Sequence, residues 1–372
     1  MKKLLIATDC FLPRWDGIAR FLNEIIPSLK EHFEITVLAP AFPGESHDMG
    51  VRVVRFPLYY FSLGDFTPAY ATTRVIRKEV EAADIVFTQT IGPIGAKTIR
   101  IASKKKKPIV AYTHSLEWEL VTHALAKYNM LRAVSERIVS RMLRQYYNSC
   151  DLLIVPSEET AGLLSTRGVT TKKEVIYMGV NTTKFSQGDK RAAKKKFGLS
   201  QFRVIGYSGR LAREKDLGTL LQAFKRISRT EENVKLLIVG GGIESIKKEF
   251  QDQRHVIVVG PQDNVIPYLQ AMDIYVLPSL TETSSLATME AMSCGVCCVV
   301  TKVGSMSKYI IDKENGMFFP KQNPTVLALK LKWLLKNEKI RSKIGEQARE
   351  TIVKYFPWEQ TAQKIKEQLL KL

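Results

Sequence analysis

Two glutamates, Glu282 and Glu290, lie eight positions apart at the start of an apolar helical stretch, directly after a predicted strand over residues 274–277. A strand that passes through a short polar turn into a helix directs free backbone N–H groups and the positive end of the helix dipole at one place. Such a place favours an anion, for example a phosphate. Carboxylates next to it suit sugar hydroxyls, which donate hydrogen bonds to them. One site of this kind could therefore bind both the phosphates and the sugars of a nucleotide-sugar.

A second turn of the same type follows the predicted strand over residues 204–207 and carries Gly209, Arg210 and Lys215. Glycine allows the backbone to approach a ligand closely. Arginine binds a diphosphate through a bidentate fork, and lysine neutralises it as a point charge. Either cation alone is more often a solvated surface residue. The position after a strand, together with the glutamates in an equivalent turn, favours the binding role for both.

Two turns nearer the amino terminus carry weaker evidence. Gly17 stands just before a predicted helix over residues 20–29, where a phosphate or a sugar would meet the backbone. His114 follows the fourth predicted strand, three residues before Glu117. Its imidazole could donate a hydrogen bond to a sugar hydroxyl or to charge that develops in a transition state. A structural histidine that caps the turn explains His114 equally well.

These turns are positioned by a regular alternation of short β-branched runs and amphipathic helical stretches. The ten runs cover residues 4–7, 35–38, 84–87, 108–111, 152–155, 203–206, 235–239, 256–259, 274–277 and 298–300. Runs that are apolar on both faces and separated by helices indicate parallel sheets with helices on both sides. The polar stretch at residues 181–190 separates two such sheets. The sequence therefore predicts an α/β protein of two doubly wound domains, with ligands beyond the carboxyl ends of the strands and a cleft between the domains.

The chain has 372 residues and a formal net charge of +19, and a charge of this size concerns the partners of a protein rather than its fold. Anionic lipid, nucleic acid and phosphorylated small molecules are all open, and general surface lysine explains part of the charge. The five cysteines show no zinc-like pairing, which indicates a reducing compartment such as the cytoplasm. No apolar run approaches the roughly 18 residues of a membrane span. Any contact with a membrane is therefore expected to be peripheral.

Taken together, these motifs resemble the GT-B glycosyltransferases of family 4, a large retaining family that takes nucleotide-activated sugars. The resemblance covers nearly the whole chain. The motifs that carry it are the turns at residues 13–17 and 113–117, the segments 154–157, 175–181, 208–215 and 237–240, and the paired glutamates with Ala291, Met292 and Gly295. The resemblance implies a GT-B fold of two doubly wound Rossmann-like parallel-sheet domains facing a cleft. Residues 1–187 would form the acceptor-side domain, residues 188–354 the nucleotide-sugar-binding domain, and residues 355–372 a C-terminal helix that packs back on the first domain.

The resemblance also implies which residues bind the donor phosphates. Arg210 and Lys215 are expected to bind the diphosphate through their charges. The backbone of Ser285, Leu286 and Gly17 is expected to line the phosphates.

A second set of residues is implied to bind the sugars. Glu290 would accept from the ribose hydroxyls, Glu282 from hydroxyls of the transferred sugar, and His114 would lie beside that sugar. Members of the family generally need no metal, which agrees with the lack of an Asp-x-Asp pair, so no cofactor is implied and the nucleotide-sugar is a substrate. The expected catalytic residues are His114, Arg210, Lys215 and Glu282, and the expected donor-binding residues are Gly17, Gly209, Arg210, Lys215, Glu282, Ser285, Leu286 and Glu290.

Four places depart from the pattern of the family. Asp16 stands where the family has the first glycine of a pair, and residues 282–285 read Glu-Thr-Ser-Ser instead of Glu-Gly-Phe-Gly. Cys297 replaces a proline, and Lys308 replaces a glutamate. These departures concern the fine geometry of donor binding rather than the fold. The Glu-Thr-Ser-Ser form is associated with the glycolipid branch of the family.

The first domain carries two features that indicate a lipid acceptor. Residues 55–66 are rich in aromatic side chains without a clean period, and the predicted helix over residues 131–147 puts an apolar face next to a row of arginines. The apolar residues are Leu131, Val134, Ile138 and Met142, and the arginines are Arg137, Arg141 and Arg144. Such a helix is suited to lie on anionic lipid. A core-facing helix with solvated arginines explains the same pattern.

The layout of residues 112–117, His123 and residues 148–151 resembles diacylglycerol glucosyltransferases within the family. The resulting hypothesis is a retaining transfer of a hexose from a UDP- or GDP-linked donor to a membrane lipid. The expected partners are the nucleotide-sugar, a lipid acceptor and an anionic membrane surface, without nucleic acid. The expected location is the cytoplasmic face of the cell membrane, where the protein would be peripheral.

Three other functions stay open on the sequence. A transferase for a soluble or polysaccharide acceptor would show no gain in activity with vesicles. A basic nucleic-acid-binding protein would explain the charge, although the charge is scattered and aromatic residues are not interleaved with it along a groove. The non-hydrolysing sugar epimerases share the predicted fold, and fold alone does not determine function.

Overall fold

The computed structural model describes residues 1–14, 16–45, 48–62, 66–114 and 129–372, and only the backbone for residues 129–136. The chain forms two compact units. The first comprises Met1–Tyr177 and Thr361–Leu372, and the second comprises Met178–Gln360. The sequence places the divisions at residues 187/188 and 354/355.

The first unit contains a seven-stranded sheet in the order β3-β2-β1-β4-β5-β6-β7, with every neighbouring pair parallel. Its strands are β1 (Lys2–Ala7), β2 (Phe33–Pro40), β3 (Arg52–Phe56), β4 (Ile85–Thr88), β5 (Ile109–Tyr112), β6 (Leu152–Val155) and β7 (Lys173–Val175). Its helices include α1 (Gly17–Leu29), α2 (Thr73–Ala82), α3 (Pro93–Lys104), α4 (Asn129–Tyr147) and α5 (Glu158–Thr166). The middle strands β4, β5 and β6 are buried along their whole length, as strands covered by helices on both faces must be.

The second unit repeats the plan with a six-stranded parallel sheet in the order β10-β9-β8-β11-β12-β13. Its strands are β8 (Arg203–Ser208), β9 (Val234–Val239), β10 (Val256–Gly260), β11 (Ile274–Leu277), β12 (Cys297–Thr301) and β13 (Met317–Phe319). Its helices are α6 (Lys190–Lys196), α7 (Leu217–Ser228), α8 (Glu244–Gln251), α9 (Ile266–Ala271), α10 (Leu286–Ser293), α11 (Met306–Tyr309), α12 (Pro324–Lys336) and α13 (Glu338–Tyr355). The last helix, α14 (Trp358–Leu370), begins in this unit, and its residues from Thr361 onward belong to the first.

Both sheets reverse their strand order at one place, between β1 and β4 in the first unit and between β8 and β11 in the second. Ligands of doubly wound sheets bind beyond the carboxyl ends of the strands at such a reversal. In the second unit the turns that leave β8 and β11 are residues 209–216 and 278–285, which hold the predicted cations and the first glutamate. The fold therefore positions the candidate residues at the place where such a sheet binds a ligand.

Two further observations concern the cysteines and the lengths of the helices. Cys10, Cys150, Cys294, Cys297 and Cys298 are all free thiols, and all but Cys10 are buried. Among the residues that the structure describes, no helix is both long and apolar enough to cross a membrane.

Candidate active site

The turns after β8 and β11 meet through an ion pair. Lys215 Nζ lies 2.5 Å from Glu282 Oε1, and Ser279 Oγ donates to the same carboxylate oxygen at 2.7 Å. The Ser279 carbonyl in turn accepts from Thr301 Oγ1 at 2.6 Å, which ties the turn to the end of β12. Lys215 from the turn after β8 and Ser279 from the turn after β11 therefore hold the Glu282 carboxylate, and Thr301 at the end of β12 holds the Ser279 carbonyl. A cation and a hydrogen-bond-accepting carboxylate are adjacent in this site.

Arg210 is held by a second ion pair within its own turn. Its Nη2 donates to Glu214 Oε1, and its carbonyl accepts from the Tyr207 hydroxyl at 2.6 Å. The backbone carbonyl of Glu214 accepts from the N–H of Leu280 at 2.8 Å, so the two turns are also joined through the main chain. Burial, with the charges of Glu282 and Glu214, raises the pKa of Tyr207 and keeps its hydroxyl protonated.

Glu214 is a site residue that the sequence reasoning missed. It follows Arg210 by four positions, and opposite charges at this spacing often pair. This spacing could have identified it. Glu214 pairs with the guanidinium and therefore restricts the direction of the Arg210 side chain.

Two glycines allow the turn after β8 to pack closely on the turn after β9. Gly209 and Gly240 have φ values of +151° and +136°, which side chains rarely allow. A Cβ at Gly240 would lie 1.9 Å from the Gly209 carbonyl oxygen, and a Cβ at Gly209 would lie 2.9 Å from the Tyr207 hydroxyl. Glycine at both positions is therefore required by the fold of the turn, independently of any ligand.

The second glutamate lies on α10. Ser285 is the N-cap of this helix and accepts from the N–H of Thr288 at 3.3 Å, so the backbone of Ser285 and Leu286 forms the positive end of the helix. Glu290 lies in the second turn and is buried. Glu282 thus lies on the turn before α10, and Glu290 lies within the helix.

In the first unit, the start of α1 already carries a carboxylate. Asp16 caps the helix, and its Oδ1 accepts from the N–H groups of Ile18 and Ala19 at 3.0 Å each. Apart from its chain neighbours and the backbone of α1, no atom of the described residues lies within 4 Å of the place where a Cβ of Gly17 would be, so packing among these residues does not require glycine there. A phosphate at this helix start would compete with the Asp16 carboxylate for two of the amides, which distinguishes the site from the Gly-Gly form of the family.

His114 lies at the end of β5 among aromatic rings. Its Nε2 lies 2.9 Å from Gln89 Oε1, and its ring stacks on Tyr112 with 4.3 Å between centroids and meets the edge of Phe21 at 4.8 Å. Burial lowers the pKa of His114 to about 3, so the imidazole is neutral at physiological pH. Gln89 was also missed by the sequence reasoning, because it follows a different strand. Glu117 and His123 lie outside the described residues.

The predicted site residues thus fall into two groups. The second unit brings together those at the carboxyl ends of β8 and β11, which are Gly209, Arg210, Lys215, Glu282, Ser285, Leu286 and Glu290. Gly17 and His114 belong to the first unit. In the described part of the chain, no three His, Cys, Asp or Glu side chains are grouped so that they could hold a metal ion.

Two family profiles account for most of the chain. The profile described as Glycosyltransferase Family 4 matches residues 15–184, and the profile described as Glycosyl transferases group 1 matches residues 189–351. The chain belongs to glycosyltransferase family 4.

The glycosyltransferase is similar to proteins with different acceptors in their names. It is 26% identical over 333 residues to the alpha-monoglucosyldiacylglycerol synthase of Streptococcus pneumoniae. The aligned region covers 84% of this chain and 74% of the relative. It is 30% identical over 189 residues to the N-acetyl-alpha-D-glucosaminyl L-malate synthase of Bacillus anthracis, and this aligned region covers only 49% of each chain.

A solved structure has the same fold as the glycosyltransferase. The crystal structure of HepE from Anabaena in complex with UDP and glucose matches it with a TM-score of 0.79 over 100% of both chains, at 17% sequence identity. At this identity the likeness shows the fold, which is GT-B with two Rossmann-like parallel-sheet domains. The predicted fold class is confirmed.

Proposed function

We propose that this glycosyltransferase moves a hexose from a UDP- or GDP-linked donor to a hydroxyl of a membrane lipid, with retention of the anomeric configuration. The observation that carries the donor half of the proposal is the pair of Lys215 and Glu282 next to Arg210, at the carboxyl ends of β8 and β11. Two cations match the two charges of a diphosphate, and the carboxylate between them and the start of α10 suits the hydroxyls of the attached sugar.

Each donor group has a proposed partner. Arg210 and Lys215 bind the diphosphate, and the N–H groups at the start of α10, in Ser285 and Leu286, line it. Glu282 accepts from hydroxyls of the transferred sugar, and the buried Glu290 accepts from the ribose. In the first unit His114 acts as a neutral hydrogen-bonding group, because burial keeps its pKa too low for a proton carrier at neutral pH.

The proposed reaction needs no enzyme nucleophile. The acceptor oxygen bonds to the anomeric carbon on the face from which the phosphate leaves, and the acceptor proton passes to an oxygen of that phosphate. Arg210 and Lys215 stabilise the negative charge that grows on the leaving group. Glu282 Oε1 already accepts from Lys215 and Ser279, which supports a role in binding rather than in nucleophilic attack.

The lipid acceptor is supported by an exposed apolar surface on α4. Ile138 and Met142 are 56% and 46% exposed and lie one turn apart, and the neighbouring Arg137 and Arg141 are exposed as well. At these positions the helix does not turn its apolar face into the core. Apolar side chains between cationic ones favour an anionic lipid surface. Leu131 and Val134 lie where only the backbone is described.

A second exposed group adds to this surface chemistry. The segment after β3 carries Tyr59, Tyr60 and Phe61, and Tyr70 packs against Tyr59 with 5.7 Å between ring centroids. All four rings are exposed. Tyrosine and phenylalanine of this kind are suited to the boundary between lipid and water. The name of the Streptococcus relative points to the same class of acceptor.

A soluble acceptor is the alternative that a specific observation favours. The Bacillus relative is named for malate, a small soluble acceptor, and matches about half of this chain. The same donor site would serve both reactions, so the two proposals differ only in the acceptor.

A panel of nucleotide-sugars, each offered with lipid acceptors in vesicles and with soluble acceptors, tests the proposal by mass detection of products. We expect a glycolipid from one UDP- or GDP-hexose, and no product from Lys215→Ala enzyme with the same donor. Transfer to a soluble acceptor with no gain from vesicles would establish the alternative. Conversion of the donor without any acceptor would contradict both.

A further inference from the structure

Tyr309, at the end of α11, is a buried tyrosine whose hydroxyl lacks a partner. Only 3% of the residue is exposed, and its hydroxyl forms no hydrogen bond with any residue that the structure describes. Two other buried tyrosines of the same core differ from it. The Tyr207 hydroxyl donates to the Arg210 carbonyl at 2.6 Å, and the Tyr275 hydroxyl donates to the Ser208 carbonyl at 3.2 Å. An unpaired buried hydroxyl costs stability, so Tyr309 calls for a functional explanation.

The backbone places α11 against the turn that carries Glu282. Ser305, just before α11, donates its N–H to the Thr283 carbonyl at 3.0 Å, and its hydroxyl lies 2.8 Å from that of Ser284. Gly304 fits only without a side chain, since a Cβ there would lie 2.2 Å from the Glu282 carbonyl oxygen. The start of α11 and the turn at residues 282–285 therefore form one packed layer.

The Tyr309 hydroxyl is under the electrostatic influence of the same turn. Burial raises the pKa of Tyr309, the charge of Glu282 raises it further, and the backbone N–H of Ser285 lowers it. The Ser285 N–H is close enough to act on the hydroxyl but does not meet hydrogen-bond geometry. The hydroxyl is thus a protonated hydrogen-bond donor near the Glu282 carboxylate.

The two carboxylate oxygens of Glu282 differ in their hydrogen bonding. Oε1 accepts from both Lys215 and Ser279, whereas Oε2 accepts no hydrogen bond from the part of the chain that the structure describes. A diphosphate that binds Lys215 competes with Glu282 for the same ammonium group. The carboxylate is largely buried, and a buried carboxylate that loses a cation needs another donor.

We propose that Tyr309 is a positioning residue for Glu282, and that its hydroxyl donates a hydrogen bond to Oε2 of Glu282 when the donor diphosphate draws Lys215 away. The inference rests on the proposed function, which assigns Lys215 to the diphosphate and Glu282 to the transferred sugar. The exchange explains both the unpaired hydroxyl and the unpaired carboxylate oxygen. It keeps Glu282 aimed at the sugar while Lys215 serves the phosphates.

A double-mutant cycle of Tyr309→Phe and Glu282→Gln tests the exchange. The measurements are the dissociation constant of the nucleotide-sugar by calorimetry, kcat, and urea unfolding without added nucleotide. We expect Tyr309→Phe alone to weaken donor binding or lower kcat by about tenfold in total, the effect of one hydrogen bond. In the Glu282→Gln background the same substitution should change both by less than about twofold. Stability should stay equal or rise, because the unpaired hydroxyl is removed.

Tyr275→Phe is the matched control, since it removes a buried hydroxyl that is paired and should lower stability. A Tyr309→Phe variant that loses as much stability as this control would overturn the proposal. Equal effects of Tyr309→Phe in both backgrounds would overturn it as well. If the unmodified protein binds no nucleotide-sugar at all, it is the proposed function that fails.

Discussion

The two glutamates that share one turn and helix have different surroundings, and this difference predicts different effects. Glu282 lies on the turn, bound by Lys215 and Ser279, whereas Glu290 is buried within α10. We expect Glu282→Ala to lower kcat by about 10- to 100-fold, as expected for a lost hydrogen bond to a charged group, with a smaller effect on nucleotide affinity. Glu290→Ala should weaken nucleotide binding by a similar factor and lower kcat less.

Steady-state kinetics with the nucleotide-sugar, and calorimetry with UDP or GDP alone, separate the two effects. The free nucleoside diphosphate contains the ribose that Glu290 is proposed to bind but not the transferred sugar that Glu282 is proposed to bind. The opposite pattern would reverse the assignment of the two glutamates.

The neutral state of His114 predicts how stability depends on pH. Burial lowers the pKa of His114 to about 3, whereas an unfolded histidine takes up its proton near pH 6.5. The unfolded chain therefore binds more protons than the folded protein between these values. The stability that comes from keeping the ring neutral is present above pH 6.5 and is lost as the pH falls toward 3.

His114→Asn removes this titration and keeps a polar group near Gln89. Urea unfolding at pH 7.5, 6.5 and 5.5 should show a shallower loss of stability in the variant than in the unmodified protein. An equal slope in both would mean that the imidazole titrates normally in the folded state.

Candidate site residues could be predicted where neighbouring residues in the sequence form a recognisable pattern. The turn after β8 and the glutamate spacing are local patterns, and the structure pairs Lys215 with Glu282 and Arg210 with Glu214. Glu214 and Gln89 were missed because their importance depends on which side chain they contact. Tyr309 was missed for the same reason, since a tyrosine in a four-residue helix carries no sign in the sequence that its hydroxyl is unpaired.

At the scale of elements, all ten predicted strands are present, and the described part of the chain contains three further strands that were missed. These three, β3, β7 and β13, lie at the edges of the two sheets. β3 carries two arginines and is only partly buried, and β7 and β13 have three residues each. An edge strand can do without a long continuous apolar run, and these three have none, whereas the edge strand β10 has one and was predicted.

The close packing of the turns after β8 and β9 predicts an intolerance of side chains at one glycine. Gly240→Ala would place a Cβ 1.9 Å from the Gly209 carbonyl oxygen, at a φ of +136°. We expect the free energy of unfolding to fall by about 2–5 kcal/mol, from overpacking and backbone strain together. Urea denaturation measures this directly.

Gly218, in the first turn of α7, is the matched control. Beyond its chain neighbours and the backbone of α7, the described residues place no atom within 4 Å of a Cβ at this position. Gly218→Ala should therefore raise the free energy of unfolding by about 0.5–1 kcal/mol, because alanine loses less backbone freedom in a helix. Similar losses in both variants would show that the turn packing is not the cause.

At the scale of the whole molecule, the net charge of +19 and the exposed face of α4 predict how the protein meets a membrane. We expect retention on vesicles that contain anionic lipid, and loss of that retention as salt rises from about 0.05 to 0.5 M, where surface charges are screened. Vesicles of neutral lipid should retain far less protein at every salt concentration. The paired substitution Ile138→Ser and Met142→Ser should weaken retention by about tenfold or more, since each buried apolar side chain contributes about 1.5–3 kcal/mol.

The second unit supplies a control with the same loss of exposed apolar surface. Leu329 and Val353 are 63% and 42% exposed on α12 and α13, and the pair Leu329→Ser and Val353→Ser should leave vesicle retention unchanged. If both double variants are retained equally well on anionic vesicles, the +19 charge binds the membrane without help from α4. The assignment of a membrane surface to this helix would then be wrong. If retention also resists salt, the surface charge is not the source of binding to the vesicles.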